Sequence, residues 1–156
     1  MSEAFRSQTP KPRGEILLIE DMPADRRLLQ EAFDETGGNI TLRSTATAEA
    51  GLDMLRERKA DTMSSLPDLI ITDLNLADQS GRDVLAIVRN DSELACLPVV
   101  VLSGSNEELA VNQCYAAGAN AFLQKPTEFS EWVSLAETIS RFWFTMAARP
   151  EDTSGS

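Results

Sequence analysis

The sequence predicts an α/β fold: a doubly wound, five-stranded parallel sheet made of five βα units. Three observations carry that reading. Short apolar runs alternate with stretches of helical periodicity along the chain. The runs "ILLI", "LIIT" and "PVVVLS" are continuously apolar, as expected for parallel strands covered on both faces. The connections are short, which suits βα units wound about one sheet. A length of 156 residues fits one domain, and 42% hydrophobic residues suffice for its core.

Each element has a local reason. Glu15–Glu20 reads as the first strand. Pro23 suits an opening helical turn, and Asp25–Glu35 then carries Leu28, Leu29, Ala32 and Phe33 at helical spacing until "TGG" stops it. Ile40–Ser44 is a short strand. Thr47 can cap a helix running to Lys59, with Ala48, Leu52 and Leu55 on one side. A polar loop, Ala60–Pro67, leads into "DLIITD", a strand ending at Asp73. After "LNLADQSG" a helix spans Arg82–Arg89 on Val84, Leu85 and Val88. Pro98–Ser103 is the next strand, Glu107–Ala117 a helix stopped by Gly118, and Asn120–Gln124 the last strand. A final helix is expected from Glu128 to Met146. Its stripe is Trp132, Ala136, Ile139 and Trp143, flanked by Leu135 and Phe142 on one side and by Val133 and Phe144 on the other. Residues 1–13 are expected to be a flexible N-terminal arm, 14–147 the domain, and 148–156 a disordered acidic tail.

Composition removes several function classes. The net charge of −11, with no basic patch, argues against a nucleic-acid surface. No apolar run has membrane-spanning length, and the polar start is unlike a secretory signal. A cytoplasmic protein is expected. Cys96 and Cys114 lie in no zinc-like spacing and are expected to be free and partly buried. The chain has no histidine, which excludes His-based triads and metal sites; any metal would be hard and oxygen-ligated.

In a parallel sheet, ligands bind beyond the carboxyl ends of the strands. Here those ends carry Glu20 and Asp21, Asp73, Ser103, and Lys125. Each alone has an ordinary explanation as a capping, turn or surface residue. Together they place carboxylates in contact, which destabilises a fold unless a cation neutralises them. Mg²⁺ is the expected cofactor, with Asp73 as nucleophile, Lys125 and Ser103 on phosphoryl oxygens, and the Asn75 carbonyl lent to the metal. The Lys125–Pro126 bond is a candidate cis peptide.

These residues resemble the receiver domain of two-component response regulators, over Gly14 to about Phe144. The resemblance implies a CheY-like (flavodoxin-like) sheet of strand order 2-1-3-4-5. It makes Glu20 and Asp21 the acidic pair, with Asp21 on the metal directly and Glu20 through water. It makes Asp73 in "LIITDLNLADQSG" the site of phosphorylation, with Gly81 closing the loop, Ser103 the hydroxyl switch, Lys125 the paired lysine and Phe122 the aromatic switch. Two departures stand out: Ala77 where the family often has proline, and Phe122 where it often has tyrosine. Asn75 and Gly104 occupy positions that tune water access in the family. "ILLIEDMPADRRLLQEAF" and "ETISRFWF" further resemble stand-alone regulators of bacteriophytochrome-type sensor kinases.

The resemblance also implies a single-domain regulator phosphorylated by a partner histidine kinase and signalling through protein–protein contacts. It would catalyse its own phosphorylation and dephosphorylation. No output domain is expected after the last helix, whose Leu135, Phe142 and Phe144 are the candidate surface for a homodimer or partner. Arg26, Arg27, Leu28 and Leu29 would lie nearest the kinase. The alternatives are a phosphorelay intermediate, a structural adaptor, or a metal-dependent phosphatase, which would want an acid at position 75. An FMN-binding protein is disfavoured by acids where phosphate would sit, and no Walker motif occurs.

Overall fold

In a computed structural model the chain is described over residues 13–146. The expected arm (apart from Arg13) and tail lie outside the described residues. The strands are β1 (Arg13–Ile19), β2 (Asn39–Thr45), β3 (Leu69–Asp73), β4 (Val99–Ser103) and β5 (Ala121–Gln124). They form one sheet in the order β2-β1-β3-β4-β5 with every pairing parallel. The helices are α1 (Pro23–Glu35), α2 (Ala48–Ala60), α3 (Gly81–Asn90), α4 (Glu108–Ala116) and α5 (Phe129–Arg141). The expected doubly wound sheet is therefore the fold. Element ends moved by one or two residues, as β1 did by beginning at Arg13 inside the expected arm.

Strand periodicity divides the core in two. Ile16 and Leu18 of β1 join Leu69, Ile71, Val100 and Leu102 on one face, under Leu29 and Phe33 of α1 and Trp132, Ala136 and Ile139 of α5. Leu17 and Ile19 join Ile70, Val99 and Val101 on the other, under Leu52 and Leu55 of α2, Val84, Leu85 and Val88 of α3, and Cys114 of α4. Both faces of β3 and β4 are buried throughout, hence their unbroken apolar runs. Cys114 is buried, and Cys96 is exposed rather than partly buried; both are free.

Helix starts follow their caps. Pro23 opens α1, and the Thr47 hydroxyl accepts the Ala50 amide at 3.0 Å at the head of α2. Ser80 and Asp83 form a reciprocal capping box on α3.

The last helix departs from expectation. Its α-helical part ends at Arg141, and Phe142–Met146 winds as a wider π-type turn. The wider turn delays the rotation of each following residue. Phe144 thereby leaves the expected flank and enters the core at 8% exposure. Its ring lies on Gly14 of β1, where a Cβ would overlap it, so only glycine admits this approach.

Candidate functional site

The common strand direction carries the ends of β1, β3, β4 and β5 to one edge. Glu20 extends β1 by one residue, its amide donating to the Thr45 carbonyl at 3.0 Å, and its side chain is buried. The Met22 amide donates to Glu20 Oε2 at 3.2 Å, and Arg26 Nη1 donates to the Glu20 carbonyl at 2.7 Å. This fixes the turn into α1. Arg26 is thus occupied within the turn, whereas Arg27 is exposed. Asp73 is the last residue of β3 and is 6% exposed. The Leu74 amide donates to the Leu102 carbonyl at 3.1 Å, holding the strand end against β4. Ser103 ends β4 in the interior. Its hydroxyl accepts the Ser105 amide at 3.2 Å, so it shapes the local turn and does not cap α4, which begins at Glu108.

Lys125 follows β5 and is anchored by its amide to the Ser103 carbonyl at 2.7 Å. Its ammonium lies 2.6 Å from Glu20 Oε1, 2.8 Å from Asp25 Oδ2 and 3.3 Å from Asp73 Oδ2. The pocket draws the ammonium's pKa up: desolvation, which opposes the charge, is outweighed by the carboxylates of Asp25, Glu20 and Asp73. Glu20 is also raised, which for an acid favours the neutral form. Burial first, and then the nearby Asp73 charge, push it up to about 7 against the pull of Lys125.

Glu20, Asp21 and Asp73 each bring one carboxylate oxygen to within 4.8 Å of the others. Such a set of hard oxygen donors, with more negative charge than one lysine offsets, fits a divalent cation such as Mg²⁺. The sequence had placed all of these residues at one edge. It missed Asp25, assigned only to the start of α1. The available signal was its position in the first helical turn, where side chains lean back toward the helix start and so toward the acidic pair.

The loop after Asp73 is stapled down. Asn75 pairs with Ser80 in an isolated antiparallel bridge, and its amide points at Asp73 Oδ1 from 3.4 Å. The Gly81 amide donates to the Leu74 carbonyl at 2.7 Å. A Cβ on Gly81 would lie 2.6 Å from the Asp73 carbonyl oxygen. Asp78 reaches across to α2, accepting the Ala48 and Glu49 amides at 3.1 Å each. Its pKa is lowered: desolvation is outweighed by these backbone donors and by those of Asp78 and Gln79. Ala77 lacks the stiffness of proline, but the Asp78 staple restrains the same loop.

Phe122 is half-buried against the β-sheet core, and its amide donates to the Tyr115 hydroxyl at 3.1 Å. Three expectations need correcting. The Lys125–Pro126 bond is trans, since no described peptide is cis; Lys125 is held by its amide and its ion pairs. Of the candidate partner surface, Phe142 is 51% exposed and Leu135 is half-buried, but Phe144 is in the core. Leu28 is half-buried and Leu29 buried, so Leu29 belongs to the core and not to the exposed face of α1.

Among the described residues no helix is long and apolar enough to cross a membrane. The chain resembles the "Response regulator Rcp1" of Synechocystis, with 32% identity over 144 residues, covering 92% of this chain and 98% of the relative. It superposes on the phosphorylated cyanobacterial phytochrome response regulator RcpA with a TM-score of 0.80 at 33% identity, over 88% of this chain and 99% of that one. It superposes on RPA3017, a response regulator in red light signaling of R. palustris, with a TM-score of 0.80 at 28% identity, over 87% and 97%. The Mn²⁺-bound form of Rcp1 gives 0.76 at 33% identity, over 90% and 99%. Residues 16–137, from the first buried position of β1 into α5, match the response regulator receiver domain. A match that spans the sheet, its acidic edge and most of the last helix settles the family: the chain belongs to the response regulator receiver domains, which act in phosphotransfer signalling.

Proposed function

We propose that the protein is a response regulator that accepts a phosphoryl group on Asp73 from the phosphohistidine of a partner kinase. One observation carries this reading: the Glu20–Asp21–Asp73 oxygens converge while the Lys125 ammonium reaches the same Asp73 carboxylate. An Asp73 oxygen attacks phosphorus, the phosphorus–nitrogen bond breaks, and its electron pair leaves with the histidine ring. Lys125 lies where it can stabilise charge on the phosphoryl oxygens, and the buried Ser103 hydroxyl is a strand end away. A Mg²⁺ ion held by Glu20, Asp21, Asp73 and the Asn75 carbonyl would neutralise the charge that accumulates on those oxygens. Phe122 then packs inward and alters the surface formed by α4, β5 and α5.

Neighbours that are phytochrome or red-light regulators support a bacteriophytochrome-type kinase as the partner. The exposed Phe142, edge-on to Trp143 with ring centroids 4.9 Å apart, supports a homodimer contact through α5. The deciding experiment is intact mass after incubation with Mg²⁺ and acetyl phosphate. A labile phosphoryl adduct is expected, and Asp73→Asn abolishes it. Absence of the adduct from the wild type overturns the reading. Light scattering of Phe142→Ala tests the dimer, which is rejected if both proteins are monomers.

A further inference from the structure

We propose that Asp25 is a positioning residue that competes for the Lys125 ammonium and so sets how tightly the pocket grips a phosphoryl group on Asp73. This rests on the phosphoacceptor reading above. Asp25 is the third residue of α1, after Pro23 and Ala24. Its carboxylate leans over the pocket mouth, where it touches Lys125 at 2.8 Å. It is not one of the converging acids Glu20, Asp21 and Asp73. Its effect in the pocket therefore runs through the lysine.

An ammonium has three hydrogens to donate. Glu20, Asp25 and Asp73 face all of them, and the Asp73 contact is the longest at 3.3 Å. A phosphoryl group on Asp73 adds charged oxygens that need the same donors. Lys125 can serve them fully only by loosening a contact it already makes. Glu20 is buried and fixed by the Met22 amide, whereas Asp25 sits nearer solvent and can rehydrate. Asp25 is thus the contact that gives way. It holds the ammonium off the phosphoryl position until phosphorylation draws it across, and it continues to compete afterwards. Because Asp25 belongs to α1 and Lys125 follows β5, the same contact ties the start of α1 to the lysine's position.

The test is beryllofluoride titration with Mg²⁺, together with the lifetime of the acetyl-phosphate adduct, in wild type and Asp25→Asn. The variant should bind beryllofluoride about three- to tenfold more tightly and keep its phosphoryl group longer, since a charge-assisted competitor has gone. Asp25→Glu, which retains the charge, should return toward wild type. Loss of a merely structural residue would weaken binding. A diffuse charge effect would fade at about 0.5 M salt, where screening is nearly complete beyond a few ångströms, whereas the direct contest persists. An unchanged or weaker Asp25→Asn, or a gain that vanishes in salt, overturns the proposal alone. A wild type that ignores beryllofluoride overturns the phosphoacceptor reading and this proposal with it.

Discussion

Replacing Lys125 by methionine keeps the stem and removes the charge, leaving the pocket carboxylates facing one another. Severing one partner from a buried ion pair costs about 3–5 kcal/mol. Two features reduce that here. Asp25, with an 18% exposed side chain, can rehydrate, and Glu20 can take up a proton. Glu20 already titrates near 7 in the folded chain against an ordinary 4.5. The folded state therefore binds more protons than the unfolded state between those values, and metal-free stability falls as pH rises through that window. Removing the ammonium lifts Glu20 further and extends the fall to higher pH. The penalty for Lys125→Met in chelator should thus be about 2–4 kcal/mol near pH 8 and about half that near pH 5.5. Urea unfolding followed by circular dichroism at the two pH values measures it. Millimolar Mg²⁺ should then stabilise the variant more than the wild type, because a bound cation supplies the missing positive charge. A penalty independent of pH, or a variant more stable than wild type near pH 8, would refute the electrostatic account.

Other effects are expected in the loops at the two ends of the sheet. Gly81→Ala places a Cβ 2.6 Å from the Asp73 carbonyl oxygen and should cost about 1–3 kcal/mol through overpacking, read as a lower urea midpoint. Asp78→Ala strips the acceptor from the Ala48 and Glu49 amides; it should cost about 1 kcal/mol, and those two amides should exchange hydrogen faster by NMR. Arg89→Met leaves the carbonyls of Ala95, Leu97 and Gly118 without their guanidinium donor. A loss of about 2–4 kcal/mol in chemical denaturation is expected, larger than for a typical surface substitution.

The legible part of the fold was what periodicity records. "LIIT" and "PVVVLS" announced strands covered on both sides, and β3 and β4 are buried at every residue. The pocket residues at strand ends were legible because parallel topology leaves such residues no other edge to occupy. Phe144 was not legible. A 3.6-residue period places it on a flank, and the wider turn that carries it inward depends on a tertiary contact with Gly14. Asp25 was hidden for a related reason. An acid in a first helical turn is commonplace, and only the arrival of Lys125 from the far side of the sheet gives it a partner. The Asp78 staple joins residues thirty positions apart in sequence, a contact no local pattern encodes.

The electrostatics of the pocket explain why these acids are arranged around strand ends and not within them. Glu20, Asp25 and Asp73 surround one ammonium, and Asp21 lies beside two of them. Full ionisation leaves an excess of negative charge at a site where burial amplifies every repulsion. The fold limits the cost in three ways. Asp21 and Asp25 remain partly in contact with water, Glu20 is drawn toward protonation, and the start of α1 presents the Met22 amide to Glu20. None of these neutralises Asp73, which is nearly buried and takes only the longest of the lysine's contacts. Asp73, the buried carboxylate with the longest lysine contact, therefore stands to gain from an added cation. Lys125 lies closer to Glu20 and Asp25 than to Asp73, which leaves Asp73 the most lightly paired of the lysine's three partners.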